Sequence, residues 1–362
     1  MFSPLRHASS VVWKNKPIQL TFFLTKRCNA KCPFCFYLQN NSDLENTNNE
    51  LTLDEIQNIS SSMDNLLWLA FSGGEIFLRK DIEEISDVFY TNNKPIYMLY
   101  PTNGLMPQRI LAKMESIVKR CKNSVIIVKL SLDGLYEDHD IIRQTPGNFE
   151  RVMECYRLLS PLVQKYKNFE LGFNTVFTAE NQDKMDSIID FVAKLENSKT
   201  HTISLIRGDL KDQSHKDVDV SLYQRAKEKL ANGLKSQQSQ HYKFSGGKIK
   251  AAQDIMQRDL IYHTTQQQRR LIPCYAGKIN VVLSETGNVF PCEIQDHSFG
   301  NVRDHGYNIN NVLQSAAAQQ FFHKTKEKPC FCTHECYFMT NILLNPKLYP
   351  SLAKEYIKVK VA

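Results

Sequence analysis

With 362 residues the chain exceeds one typical domain. No secretory signal opens it and no apolar run is long enough to span a membrane, so a reducing cytoplasm is expected. The net charge of +7 permits an anionic substrate, but no RNA-binding motif accompanies it and no nucleic-acid partner is expected.

Apolar β-like runs alternate with amphipathic helical stretches, the pattern of parallel β/α units. Strands are predicted at Ile18–Leu24, Leu67–Phe71, Pro95–Tyr100, Val125–Leu132, Phe169–Phe177 and His201–Ile206. Helices are predicted at Leu53–Met63, Arg79–Tyr90, Pro107–Cys121, Asn148–Lys167 and Asn181–Glu196. Thr52 and Glu55 form a capping-box pattern before the first helix. Pro107 suits a first helical turn, where its missing N–H costs little. The expected fold class is α/β: a partial (β/α)6 barrel over 1–207, a helical bridge over 208–273 and a small cluster domain over 274–362. The bridge is Gln-rich, with helical stretches at Val220–Lys235 and Lys248–Arg270. Its Arg258, Arg269 and Arg270 are expected to face solvent or an acidic partner.

Ten cysteines are distributed unevenly. Cys28, Cys32 and Cys35 follow the first predicted strand with the spacing C-x3-C-x2-C. Three thiolates on one short loop can hold three irons of a cubane, leaving the fourth open to a small molecule, whereas electron-carrying ferredoxins normally supply four cysteines. Zinc normally takes four ligands, and no fourth Cys lies nearby. Cys274, Cys292, Cys330, Cys332 and Cys336 form a second group. Cys121 and Cys155 stand alone on predicted helices, as buried apolar residues would.

The cysteine loop, with Phe34 before its last thiol, resembles that of the radical S-adenosylmethionine (SAM) enzymes. That resemblance implies a [4Fe–4S] cluster whose open iron chelates SAM, and reductive cleavage of SAM to a 5′-deoxyadenosyl radical that takes hydrogen from substrate. It also implies a reducing partner such as flavodoxin or ferredoxin. Further motifs fall at predicted strand ends, where parallel barrels place their chemistry. Gly73, Gly74 and Glu75 resemble the family's element at the SAM amino group, with Ile76 where Pro is usual. Paired glycines also allow close backbone approach. Asn103, in Thr-Asn-Gly, and Ser131, in Ser-Leu-Asp-Gly, are candidate SAM contacts by the same resemblance. Turn chemistry beside a glycine is the plainer reading of Asn103 and Asp133. Arg143 offers a fork for the methionine carboxylate. Asn174 and Thr175 on the fifth strand could reach SAM or substrate.

Two short β-runs flanking Glu-Thr-Gly-Asn read as a hairpin that brings Cys274 and Cys292 together. This stretch, with Gly287 and the later Phe-Gly-Asn-Val, resembles the opening of SPASM and twitch domains, which bind auxiliary [4Fe–4S] clusters. The chain departs from the full SPASM pattern: five thiols cannot supply two four-thiolate clusters, so one auxiliary cluster is expected. Cys274, Cys292 and Cys336 would join either Cys330 or Cys332, leaving the other thiol or His334 spare. Zinc also suits four cysteines in two pairs. Glu293 directly follows Cys292. By resemblance to the anaerobic sulfatase-maturating enzymes it is a candidate base, which a raised pKa near a dry cluster would serve. A surface glutamate at a strand end is the plain alternative.

The chain is thus expected to be a radical SAM oxidoreductase or maturase that oxidises, crosslinks or epimerises a C–H site of a peptide or small metabolite. The fourteen residues before the barrel leave no room for a leader-binding domain, which tilts the expectation slightly toward a metabolite or a separate recognition subunit. The alternative is a non-catalytic iron–sulfur scaffold or electron carrier, which would have no need of a SAM pocket.

Overall fold

A computed structural model describes residues 1–38, 48–236, 246–327 and 330–359. Six strands form a parallel wall: β1 (Gln19–Phe23), β2 (Trp68–Ser72), β3 (Tyr97–Thr102), β4 (Val125–Ser131), β5 (Phe169–Phe177) and β6 (Ser198–Leu205). Each pairs with its sequence neighbour, as a wound β/α barrel requires. The intervening helices are α1 (Leu53–Ser61), α2 (Ile82–Asn93), α3 (Pro107–Arg120), α4 (Glu137–Ile142), α5 (Asn148–Leu159), α6 (Leu162–Lys165) and α7 (Met185–Ala193). The single helix expected over Asn148–Lys167 is two, because Pro161 has no N–H to continue the α5 ladder. Helix α4 was not expected; it is too short to show a periodic apolar stripe.

Strand residues alternate between two environments. On β4, Ile126, Val128 and Leu130 are fully buried in the core shared with the helices. Ile127 and Lys129 line the lumen instead. Cys121 and Cys155 are buried, as expected of apolar residues.

After the barrel come α8 (Val220–Ser236) and α9 (Gly247–Gln267). The chain then returns to the sheet as β7 (Asn280–Leu283), β8 (Asn288–Phe290) and β9 (Gly300–Asn301). Gly287, at φ +92°, makes the β7–β8 turn that a Cβ would strain. The hairpin does not stand apart. Strand β7 pairs in parallel with β1, from Gln19 opposite Asn280 to Phe22 opposite Leu283. The sheet therefore has nine strands in the order β6-β5-β4-β3-β2-β1-β7-β8-β9. Helices α10 (Ile309–Leu313), α11 (Ala316–Glu327), α12 (Glu335–Leu343) and α13 (Tyr349–Lys358) complete the chain. One apolar core runs from Phe71 and Tyr100 in the barrel to Val289, Phe299 and Val302 beyond it. Met339 of α12 packs with Trp68, Ala70 and Ile127, plugging part of the lumen.

A polar clasp reinforces this join. Glu55 accepts from the Thr52 amide at 2.9 Å, closing the α1 capping box. The same carboxylate takes Arg303 Nε at 2.7 Å and Nη2 at 3.0 Å. Hydrogen bonding from Arg303 holds Glu55 down at about 2, below its ordinary 4.5. A carboxyl lowered on folding stabilises the fold above its unfolded value and loses that contribution as pH falls through its folded value. Arg303→Ala should therefore lower stability by about 1 kcal/mol at pH 7, the upper range for a partly exposed pair. The difference between wild type and variant in urea denaturation should shrink as pH falls from about 5 toward 2. A pH-independent difference would show that packing, not the ion pair, carries the effect.

Candidate active site

The cysteine loop is seated on the end of β2 by backbone contacts. Gly74 N donates to Thr25 O at 2.8 Å, and Glu75 N donates to Arg27 O at 2.8 Å. A Cβ on Gly74 would lie 2.6 Å from the Arg27 carbonyl carbon. Gly73 has φ +119°, and a Cβ there would collide with Thr25. The glycine pair thus lets the loop, rather than only a ligand, approach closely. The Glu75 side chain is buried and accepts from Asn103 N at 2.8 Å, Thr102 Oγ1 at 2.9 Å and Phe77 N at 3.2 Å. It ties the ends of β2 and β3 together beneath the loop.

Asn103 reaches the loop directly. Its Nδ2 donates to Asn29 Oδ1 at 2.8 Å and lies 3.7 Å from Cys28 Sγ. Arg143 is buried and donates from Nη1 to Asp133 Oδ2 at 2.6 Å. Asp133 also accepts from Val176 N at 2.8 Å, so β4, β5 and Arg143 meet on one carboxylate. Arg143 lies close enough to Cys28 and Cys32 for its charge to favour their thiolates. Its buried Nε has no hydrogen-bond partner among the described residues. Ser131 ends β4 opposite Asn174 of β5. Asn174 lines the lumen cavity; Ser131 does not. Thr175 points the other way and donates to Leu132 O.

All ten cysteines are free. Cys28, Cys32 and Cys35 lie within reach of one another's charge. Burial pushes the Cys32 thiol up to about 11 and the Cys336 thiol to about 12. Metal loading must therefore release protons. Among the described residues no three His, Cys, Asp or Glu side chains gather tightly enough for a single ion. A cubane holds its thiolates farther apart than one ion does. Three loop thiols and an unpartnered buried guanidinium nitrogen fit a cluster with an amino-acid carboxylate beside it.

In the C-terminal region, Cys274, Cys292, Cys330 and Cys332 lie near enough to feel one another's charge. Arg270 donates to Cys330 from Nη2 to Sγ at 3.3 Å and from Nε to the carbonyl at 2.9 Å. Cys336, near the start of α12, lies against Glu293, Arg207 and Glu335. These four residues line one cavity of about 370 Å³ that also reaches Cys32 and Cys35.

Glu293 is buried there, 2.7 Å from His334 Nε2 and 3.7 Å from Arg207. The raised pKa expected for it is not found. Burial pushes the carboxyl up, but His334, Arg207 and Thr21 outweigh that and hold it below its ordinary value. Nor is Glu293 an exposed strand-end residue. His334, considered a spare ligand from sequence, instead caps α12, its Nδ1 accepting from Cys336 N at 3.3 Å, while contacting Glu293. Arg207 was missed from sequence; it bridges Glu293 and Glu335, the latter at 2.8 Å. Only its position just after β6 could have marked it.

A parallel barrel with a thiol loop at its strand ends, joined to a second thiol group across a shared cavity, defines an iron–sulfur enzyme with a reaction chamber. Residues 22–192 match the radical SAM superfamily. Residues 274–337 match the SPASM iron–sulfur cluster-binding domain. The chain belongs to the radical SAM superfamily, and its cofactors are a SAM-binding cluster, an auxiliary cluster and SAM. It is 26% identical over 342 residues to the antilisterial bacteriocin subtilosin biosynthesis protein AlbA of Bacillus subtilis, covering 89% of this chain and 68% of that protein. It is 27% identical over 281 residues to a probable GTP 3′,8-cyclase of Methanocella arvoryzae, covering 73% of this chain and 83% of that protein. The fold resembles that of native anSMEcpe with bound AdoMet, with TM-score 0.57, 17% identity and coverage of 94% of this chain and 96% of that one. SuiB of Streptococcus suis bound to its precursor peptide SuiA gives TM-score 0.51 at 14% identity, over 79% of this chain and 62% of that one. No helix among the described residues is long and apolar enough to cross a membrane.

Anaerobic reconstitution should give about eight irons per chain, and about four after Cys28, Cys32 and Cys35 are changed together to Ala, from four irons per cubane. Loss of all iron from the triple variant would mean the C-terminal thiols hold no cluster of their own. Gly74→Ala should displace the cysteine loop and abolish SAM cleavage while the C-terminal cluster's absorbance remains. Normal SAM cleavage by that variant would show that the loop tolerates a different seat.

Proposed function

We propose that this radical SAM enzyme modifies a peptide, removing an electron and a proton from the substrate radical after hydrogen abstraction. The carrying observation is that the cysteine loop, Glu293 and Cys336 open onto a single cavity. Support for a peptide comes from the AlbA likeness over 89% of the chain and from the peptide-bound SuiB neighbour. The likeness to a GTP 3′,8-cyclase favours a second reading, a small metabolite in the same cavity.

Cys28, Cys32 and Cys35 hold the SAM-binding cluster, and Gly73, Gly74 and Asn103 shape its rim. Arg143 receives the methionine carboxylate on its free Nε, with Asp133 fixing the guanidinium. The bound cluster and SAM supply the radical that takes the substrate hydrogen atom. Glu293 then accepts a proton from the atom bonded to the substrate radical carbon, so that a double bond forms between the two as the radical electron leaves. His334 and Arg207 hold it as the carboxylate, the form a base requires, at some cost in basicity. Cys274, Cys292, Cys330, Cys332 and Cys336 supply the auxiliary cluster, one thiol more than a four-thiolate cubane needs. Cys292, the residue adjacent to Glu293, would be among those holding that cluster, which would accept the electron. Proton and electron can thus leave the substrate on the same side. A flavodoxin or ferredoxin in the cytoplasm supplies the reducing electron.

Glu293→Gln keeps the side chain's size but removes the proton acceptor. With peptides encoded beside the gene as substrates, the variant should still release 5′-deoxyadenosine and lose product by at least about a hundredfold, the scale of a general base. Undiminished product would remove Glu293 from the reaction. Solvent deuterium at a substrate carbon would point to epimerisation instead of oxidation.

A further inference from the structure

The lumen wall opposite α12 carries charge that SAM chemistry does not call for. Lys129 projects inward from β4 and donates to Thr202 Oγ1 at 3.2 Å and Thr200 O at 3.3 Å. It also donates to the Thr200 hydroxyl. Space for it is made by Gly172 on β5, where a Cβ would come within 2.9 Å of Nζ. Arg258 approaches the same cavity from α9. It was expected to face solvent or an acidic partner, yet it is only partly exposed. It forms no ion pair among the described residues, and its buried Nη1 has no hydrogen-bond partner.

The other lining charges are already matched. Arg207 meets Glu293 and Glu335, and Lys250 meets Asp254. Lys129 feels Asp254 and the buried Glu170, but neither forms an ion pair with it among the described residues. The local field is positive. Burial, Lys129 and Arg258 together hold His201 down to about 3, and burial holds Lys129 down to about 7 against the pull of Asp254. Helix α9 lies between the two matched family regions, 22–192 and 274–337, whereas Lys129 on β4 lies within the first.

We propose that Lys129 and Arg258 form a carboxylate-binding subsite in the lumen, so that the substrate segment entering the cavity carries an acidic group. A carboxylate entering the cavity would offer acceptors to both Arg258 and Lys129 and would favour the charged form of Lys129. Asp254 is already engaged by Lys250, and Glu293 and Glu335 by Arg207. The neutral threonine hydroxyls keep Lys129 directed into the lumen without neutralising it. The peptide form of this inference rests on the proposed peptide substrate; the subsite does not.

The test is calorimetric titration of the anaerobic, SAM-loaded holoenzyme with five probes. They are Ac-Ala-Glu-Ala-NH2, Ac-Ala-Gln-Ala-NH2, Ac-Ala-Gln-Ala with a free C-terminus, and glutarate against glutaramide as a control pair. Wild type should bind the Glu peptide, the free-acid Gln peptide, or both, at least about tenfold tighter than the amidated Gln peptide, because an unpaired buried donor penalises the neutral isostere. Which of the two binds tells a side-chain carboxylate from a C-terminal one. Lys129→Met and Arg258→Gln should each reduce the preference, with iron content and circular dichroism unchanged. Lys129→Arg should keep it. Preference for glutarate over glutaramide with no peptide binding would uphold the subsite and overturn the peptide substrate. Equal binding of acid and amide probes by wild type, no binding of any probe, or a preference surviving both variants would overturn the subsite.

Discussion

Strand β1 is the member on which the rest depends. It pairs with β2 on one side and β7 on the other, both in parallel, although β7 begins some 260 positions later in the chain. The cysteine loop leaves its C-terminal end. The hairpin carrying Glu293 grows from its other edge. Backbone pairing therefore fixes the distance between the two thiol groups before any side chain acts, and burying polar backbone at this seam demands that every N–H and C=O be matched. A partial barrel has an open edge that must be covered, and β7 covers it.

Around that seam, polar groups are arranged in closed sets. Glu75 joins β2 to β3, Asp133 joins β4 to β5 and to Arg143, and Arg207 joins β6 to Glu293 and α12. The side chains of these carboxylates are almost wholly removed from solvent. An unmatched charge in such a place costs several kcal/mol, so removing one partner harms more than removing both. The frame is consequently rigid where cofactors are held. Among the described residues, the buried guanidinium nitrogens without a hydrogen-bond partner are Arg207 Nε, whose side chain already meets two carboxylates, and Arg143 Nε and Arg258 Nη1. The last two are the positions where a carboxylate would be welcomed.

Much of this was legible in the chain. The strands predicted from apolar runs agree with those observed to within three residues at either end, because the residues each strand turns to the helices are apolar and buried. The hairpin after Cys274 was legible from its turn residues, and the α1 start from Thr52 and Glu55. Helix α4 and the break at Pro161 were not, since six residues show no period and a proline at a helix border is ambiguous. The second role of Glu55, clasping Arg303 from 248 residues away, leaves no local trace.

The sequence by itself determined the local chemistry: three thiols on one loop, a glycine pair after β2 and five thiols near the end. Spacing along a loop of a few residues is spacing in space, so such motifs carry their own geometry. Tertiary structure alone decided which groups share a chamber. It set Glu293 between His334 and Arg207, reversing the pKa shift expected from burial. It turned Arg258 from a solvent-facing residue into a cavity wall and gave Lys129 the gap left by Gly172. Those outcomes depend on pairings between distant segments, and the free energy of a charge is set by its neighbours in space rather than in sequence.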